Sequence, residues 1–283
     1  MTNFQKLSLA LLITTPLFVP LADAKSCGVK ANMCKTPLGE YALRMPDTAS
    51  AKPIPALLYF HGAGGSGPRS LRNKTMVNAF LKRGYAVIAP SALIRPNSRF
   101  GAIWSFLPNR PVQRDEMAFT REILADAAKK HNIDRNNILM GGFSIGGSLT
   151  WYLACQDPKI ARAFAPVAGA FWRPHPDAIE CNGPVKMLHT HGWRDNTVPL
   201  EGRILGGGAL LQGDVFQGLQ IMREVNGCEN MKADSYKTNN QFWRRIWTNC
   251  RKGSALEFAL HTGGHSVPKS WADMAINWFE NVR

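Results

Sequence analysis

The chain has no Cys-x-x-Cys pair, so a zinc ribbon or a thioredoxin-like redox motif has no ligand spacing to build on. No run of Lys and Arg exceeds two residues and no nucleic-acid-binding pattern is present, which excludes a concentrated basic footprint for specific nucleic-acid recognition. Acidic residues are scarce, 20 Asp and Glu against 34 Lys and Arg, giving a formal net charge of +14. Dispersed positive charge of this kind suits contact with anionic surfaces or polymers better than a sequence-reading interface. Internal repeats, low-complexity tracts and Pro/Ser-rich linkers are also missing, so no appended binding module is expected in the 283 residues.

A run of roughly 20 apolar residues, the length needed to span a bilayer, is absent as well. The nearest approach is Leu7 to Val19, which is shorter and is interrupted by Thr14, Thr15 and Pro16. Lys6 precedes it and Ala22-Asp23-Ala24 follows as a small-x-small cleavage site, so residues 1–24 read as a secretory signal and not as a transmembrane anchor. Residues 25–283 are then expected to form one catalytic domain, secreted or periplasmic. Lys6 and Asp23 cancel, so cleavage leaves the net charge unchanged. In an oxidising compartment the six cysteines read as disulfides. Adjacency suggests Cys27 with Cys34 and Cys228 with Cys250, leaving Cys155 and Cys181.

Apolar patterning predicts an α/β fold. Gly39 to Met45 alternates weakly, as an edge strand would, whereas Ile54 to Phe60 is continuously apolar, as expected of a strand buried on both faces. Further strands are expected at Tyr85–Ala89, before Ser144, at Ala161–Ala168 and Val185–Thr190, and over 242–247 and 255–260. Helices are expected over 74–83, Arg114–His131, 211–226 and 270–281. Alternation of strands and helices implies a mostly parallel central sheet with helices on both faces.

One segment carries the chemistry. Asn137 to Met140 runs as a strand into Gly142-Phe143-Ser144-Ile145-Gly146, a Gly-x-Ser-x-Gly turn that leads into a helix. Such a turn needs small residues at 142 and 146 and presents Ser144 as a nucleophile. A serine nucleophile needs a base, and the base needs an orienting carboxylate. In the chain order Ser, Asp, His the candidates are Asp195 and His265, each just beyond an expected strand. Competing acids are Asp157, Asp177, Glu201 and Asp214; His261 is the rival base, but it belongs to the preceding strand, whereas Gly263-Gly264 places His265 in a loop. His189, His191 and Asp195 could be grouped as metal ligands, yet hydrogen-bonded structural histidines are the commoner outcome on a buried strand, so neither metal nor organic cofactor is expected. The oxyanion donors are assigned to the N–H groups of Ile145 and of Ala63, the latter in the Gly-rich loop His61-Gly62-Ala63-Gly64-Gly65. Trp104, Trp172 and Trp193, with Phe171, fall in loops near the expected site and are candidates to bind substrate.

His61 to Ser66, Gly142 to Gly147, Ala165 to Gly169, His191 to Pro199 and Gly263 to Pro268 together resemble the α/β-hydrolase esterases that include poly(3-hydroxybutyrate) depolymerases, feruloyl esterases and acetylxylan esterases. The resemblance implies Ser144 as nucleophile, Asp195 as orienting acid and His265 as base, acting on a carboxylic ester, polymeric or not. Ile145 stands where the family often has Ala, and Val267-Pro268 where it often has Trp-Pro, which narrows or reshapes the pocket. Acyltransferase or thioesterase chemistry with the same triad, and a noncatalytic binding protein on this scaffold, are the alternatives.

Overall fold

The computed structural model describes residues 33–47, 50–94 and 101–282. The expected signal segment 1–24 and the expected Cys27–Cys34 pairing lie outside those residues, the latter because of Cys27.

In chain order the elements are β1 (Cys34–Thr36), β2 (Gly39–Arg44), β3 (Ile54–Phe60), α1 (Gly67–Ser70), α2 (Lys74–Lys82), β4 (Ala86–Pro90), β5 (Leu93–Ile94), β6 (Ala102–Ile103), α3 (Glu116–His131), β7 (Ile133–Phe143), α4 (Ile145–Gln156) and β8 (Ala163–Val167). There follow β9 (Lys186–Gly192), β10 (Ile204–Leu205), β11 (Leu210–Leu211), α5 (Val215–Val225), β12 (Ser235–Thr238), β13 (Trp243–Trp247), β14 (Ala255–His261) and α6 (Trp271–Asn281). One ten-stranded sheet runs β1-β2-β4-β3-β7-β8-β9-β14-β13-β12. Its centre, from β4 to β14, is parallel, and both margins are antiparallel.

The continuous apolar strands are explained by two faces that both need covering. Alternate side chains of β3, Ala56, Leu58 and Phe60, join Phe119 and Ile123 of α3, Leu149 and Trp151 of α4, and Leu219 and Met222 of α5. The intervening Leu57 and Tyr59 join Val77 and Phe80 of α2 and Trp271 and Ile276 of α6 on the opposite face. The period of two along each strand thus sorts residues between two cores.

Two expectations are corrected. The strand at residues 39–45 is not at the edge, because β1 pairs with it antiparallel through Cys34–Tyr41 and Thr36–Gly39; a three-residue strand carries too short a pattern to read. The expected helix over 211–226 begins only at Val215, where Asp214 caps it by accepting from the N–H groups of Phe216 and Gln217. Residues Leu210–Leu211 instead pair antiparallel with Ile204–Leu205 in a small hairpin. Cys228 is bonded to Cys250 as expected, and Cys155 to Cys181.

Candidate active site

The site lies at the carboxyl ends of the parallel strands, where β7 delivers Ser144, β9 leads to Asp195 and β14 leads to His265. Ser144 stands between β7 and α4 with φ 58° and ψ −123°, a left-handed backbone that a non-glycine residue adopts only under constraint. The constraint is the packing around it. A Cβ at Gly142 would sit 2.4 Å from the Gly146 carbonyl oxygen, and one at Gly146 would sit 2.3 Å from that of Phe60, so only glycine allows β7, α4 and β3 to approach this closely. The Ser144 N–H is tied to Val167 O at 3.0 Å, and its carbonyl accepts from Ser148 N at 2.9 Å.

Three side chains from distant segments then meet. His265 Nδ1 lies 2.7 Å from Asp195 Oδ2, and His265 Nε2 lies 2.9 Å from Ser144 Oγ. A carboxylate only accepts, so Nδ1 carries the proton, Nε2 is the acceptor and the serine hydroxyl donates to it. Phe143 backs the imidazole, with ring centroids 4.7 Å apart. Asp195 is buried, and burial pushes its carboxyl up. Hydrogen bonds from His265 and from the N–H of Val198 outweigh that and hold it below the usual carboxylate range. Its other oxygen, Oδ1, accepts from Thr197 N at 2.9 Å and Val198 N at 2.8 Å.

His189 and His191 do not flank an ion site. Their rings bond to each other, Nε2 to Nδ1, at 3.0 Å, and His191 Nε2 donates to Val198 O at 2.8 Å. Burial lowers the pKa of both, so each is neutral, and the 3.5 Å separation of His191 from Asp195 is not an ion pair. His261 Nδ1 accepts from Gly263 N at 3.1 Å, which shapes the loop leading to His265. Among the described residues no three His, Cys, Asp or Glu side chains gather as a metal-binding group.

Beside Ser144 opens an apolar cavity of about 220 Å³ whose lining includes Ala63, Ile145, Phe171, Trp172 and Leu205, with Gln212 and Arg203 as polar members. In the Gly-rich loop, Gly64 N–H is committed to Ala102 O at 2.9 Å and Gly65 N–H to Gly62 O at 3.0 Å. Both are thereby engaged elsewhere, and Ala63 lines the same cavity as Ser144 and Ile145.

Of the three tryptophans expected to touch substrate, only Trp172 lines this cavity. Trp104 is fully buried behind the Gly-rich loop, where its Nε1 donates to His61 O at 2.8 Å and its ring meets Phe60 edge-on. A large ring with one polar atom satisfies both demands there, apolar packing and a donor for an otherwise orphaned carbonyl. Trp193 is 60% exposed and does not line the cavity; its N–H donates to His261 O at 2.7 Å just beyond β9. His61 is itself a brace. Its Nε2 accepts from Ala92 N at 3.0 Å and its Nδ1 lies 2.7 Å from Gly62 O, an arrangement that only the neutral ring satisfies. Burial accordingly lowers its pKa to about 4, the bond to Gly62 opposing and Arg114 adding.

Sequence reasoning missed Ile103, Leu107, Leu205, Leu210, Arg203 and Gln212 as cavity residues. They sit on two-residue strands and turns, and the one local signal was the Gly206-Gly207-Gly208 run that marks the β10–β11 turn.

Comparison with known proteins gives a consistent outcome. The chain is 26% identical over 224 residues to feruloyl esterase B of Piromyces equi, an alignment covering 76% of this chain and 40% of that one. It thus spans well under half of that relative's length. It is 24% identical over 234 residues to a probable feruloyl esterase C of Aspergillus niger, covering 80% and 76%. In fold it is similar to an acetyl xylan esterase from Aspergillus awamori, with a TM-score of 0.62 at 16% identity over 85% of this chain and 93% of that one. It is also similar to an S-formylglutathione hydrolase from Agrobacterium tumefaciens, with a TM-score of 0.58 at 14% identity over 89% and 94%. The model of the phospholipase/carboxylesterase family matches residues 47–205, which include Ser144 and Asp195. The chain belongs to this phospholipase/carboxylesterase family of α/β-hydrolases, a family of carboxylic ester hydrolases.

Proposed function

We propose that the protein is a secreted serine esterase in which Ser144, His265 and Asp195 form the catalytic triad. The observation that carries this reading is the unbroken hydrogen-bond chain from Asp195 Oδ2 through His265 to Ser144 Oγ, with separations of 2.7 and 2.9 Å. His265 Nε2 takes the hydroxyl proton as Oγ attacks the ester carbonyl, and Asp195 stabilises the imidazolium that forms. The oxyanion is held by the N–H groups of Ile145 and Ala63. His265 then gives the proton to the departing alcohol oxygen, leaving an acyl-enzyme. A water deprotonated by the same nitrogen attacks the acyl carbon, Oγ leaves and regains the proton, and the acid is released. No step calls for a metal or an organic cofactor.

The apolar cavity beside Ser144 is read as the acyl site. At about 220 Å³ it is smaller than the range usual for drug-sized ligands, which suits a short or a planar aryl acyl group better than a long one. Phe171 and Trp172 offer ring faces, and Gln212 and Arg203 can meet polar substituents. With relatives named feruloyl esterases, this supports a feruloyl-type ester as substrate, with acetyl esters next. The leader-like residues 1–24 and the two disulfides support export. No helix among the described residues is long and apolar enough to cross a membrane.

A fluorophosphonate probe tests the nucleophile. Wild type is expected to be labelled at Ser144 and Ser144→Ala to remain unlabelled; a folded wild type that takes no label overturns the reading.

A further inference from the structure

A second cavity meets the first at the Gly-rich loop. It has a volume of about 460 Å³ and lies on the His265 side, its lining including His265, Gly62, Ala63, Ser66, Arg69 and Asn73. Ala63 lines both cavities, while Ser144 and Ile145 line only the first.

The chemistry of the proposed triad gives the two cavities different tasks. The histidine that deprotonates the serine must later reach the alcohol oxygen to protonate it, so the alcohol part of an ester departs on the histidine's side. An ester whose carbonyl oxygen points at Ala63 N–H, with its acyl part beside Ile145, therefore places its alcohol in the cavity beside His265.

This second cavity differs in character from the first. Ser66, Ser70, Asn73 and Arg69 share its wall with Met76, Phe143 and Val267, and no Asp or Glu lines it. Arg69 Nη1 donates to Gly64 O at 3.4 Å, which holds the guanidinium at the rim of the Gly-rich loop. A guanidinium has five N–H donors, so one such bond leaves it able to grip a carboxylate. Among the described residues no Asp or Glu forms an ion pair with Arg69.

Resting on the esterase reading above, we propose that the cavity lined by Arg69 is an alcohol subsite that selects polar alcohols bearing a negative charge, such as a hydroxyl of a sugar acid. Arg69 is a specificity-determining residue in this account. Hydroxyl and amide groups along the wall meet the alcohol's own hydroxyls, and the guanidinium meets its carboxylate.

Two size-matched substrates test this, a feruloyl group on O-2 of methyl glucuronoside and on O-2 of methyl glucoside, with methyl ferulate as a small neutral control. Wild type is expected to favour the uronate by about fivefold to tenfold in kcat/KM at low salt, the scale of one charge-assisted contact at a partly exposed site, and to lose most of that preference at high salt. Arg69→Ala should bring the ratio near one, and Arg69→Lys should keep part of it. The ratio is the readout because any disturbance of the Gly-rich loop through the Arg69–Gly64 contact lowers both rates together. A wild-type ratio near one, a preference unchanged in Arg69→Ala, or cleavage of methyl ferulate with neither sugar ester cleaved overturns the subsite assignment while leaving the esterase reading intact. Failure on all three esters removes the esterase reading, and the subsite falls with it.

Discussion

His191 Nε2 donates to the carbonyl oxygen of Val198 at 2.8 Å, and the N–H of the same Val198 is held by Asp195 Oδ1 at 2.8 Å. A buried neutral histidine thereby fixes the turn that aims Asp195 at His265. His191→Phe removes the donor and leaves a buried carbonyl unpaired, a loss on the order of 1–3 kcal/mol. We predict a fall of about tenfold in kcat, because the orienting acid loosens, with a smaller rise in KM, because Val198 also lines the cavity beside Ser144. His191→Gln, which can still donate to Val198 O, should recover part of kcat. Steady-state kinetics of the two variants decide this, and an unaltered kcat in His191→Phe contradicts it.

Acid should weaken the protein through His61. Its pKa is lowered to about 4 in the fold against about 6.5 when unfolded, so the unfolded chain binds more protons between those values. The stabilisation is present in full above about pH 6.5 and is lost as the pH falls toward 4. Between pH 7 and pH 5 this one group accounts for about 2 kcal/mol. His131, His175, His189, His191 and His261 are lowered by burial as well and act with the same sign. Urea unfolding at the two pH values should show a smaller drop in His61→Gln than in wild type, and equal drops contradict the assignment.

The glycines of the serine turn admit no side chain. A Cβ at Gly146 would lie 2.3 Å from Phe60 O and 2.5 Å from His61 O, both backbone atoms that cannot swing aside. Gly146→Ala should cost about 3 kcal/mol or more, at the upper end of overpacking effects, and should displace Ser144 from His265. Loss of both thermal stability and fluorophosphonate labelling is expected, and a stable, labelled variant argues against the tight approach.

Ile145 lines the cavity beside Ser144, and in the proposed mechanism its side chain bounds the acyl group while its N–H serves the oxyanion. Ile145→Ala should keep the N–H and enlarge the cavity by about three methylene-sized groups, raising kcat/KM for a bulkier acyl chain relative to acetyl by about tenfold. Competition between acetyl and longer acyl esters measures this. An unchanged ratio moves the acyl site elsewhere.

Much of the site was legible because its signals are local. Apolar strands ending abruptly in Gly-rich turns mark where β3, β7, β9 and β14 deliver their residues, and the order Ser144, Asp195, His265 follows the chain. Packing partners distant in sequence were not legible. Nothing local distinguishes Trp104, which braces His61 from 43 positions away, from Trp172, which lines the cavity, since both are tryptophans in loops. The surroundings of a loop side chain are set by tertiary contacts such as the bond from Trp104 Nε1 to His61 O. The β10–β11 hairpin was missed for a related reason, as two-residue strands carry no period.

The account stands on Ser144 as nucleophile, so the most direct measurement is turnover of a feruloyl ester by wild type and by Ser144→Ala, with circular dichroism showing that both are folded. A triad acting as a unit predicts a fall in kcat of roughly 10⁴ to 10⁶ in the variant. A folded Ser144→Ala protein that keeps kcat within about tenfold of wild type would contradict it.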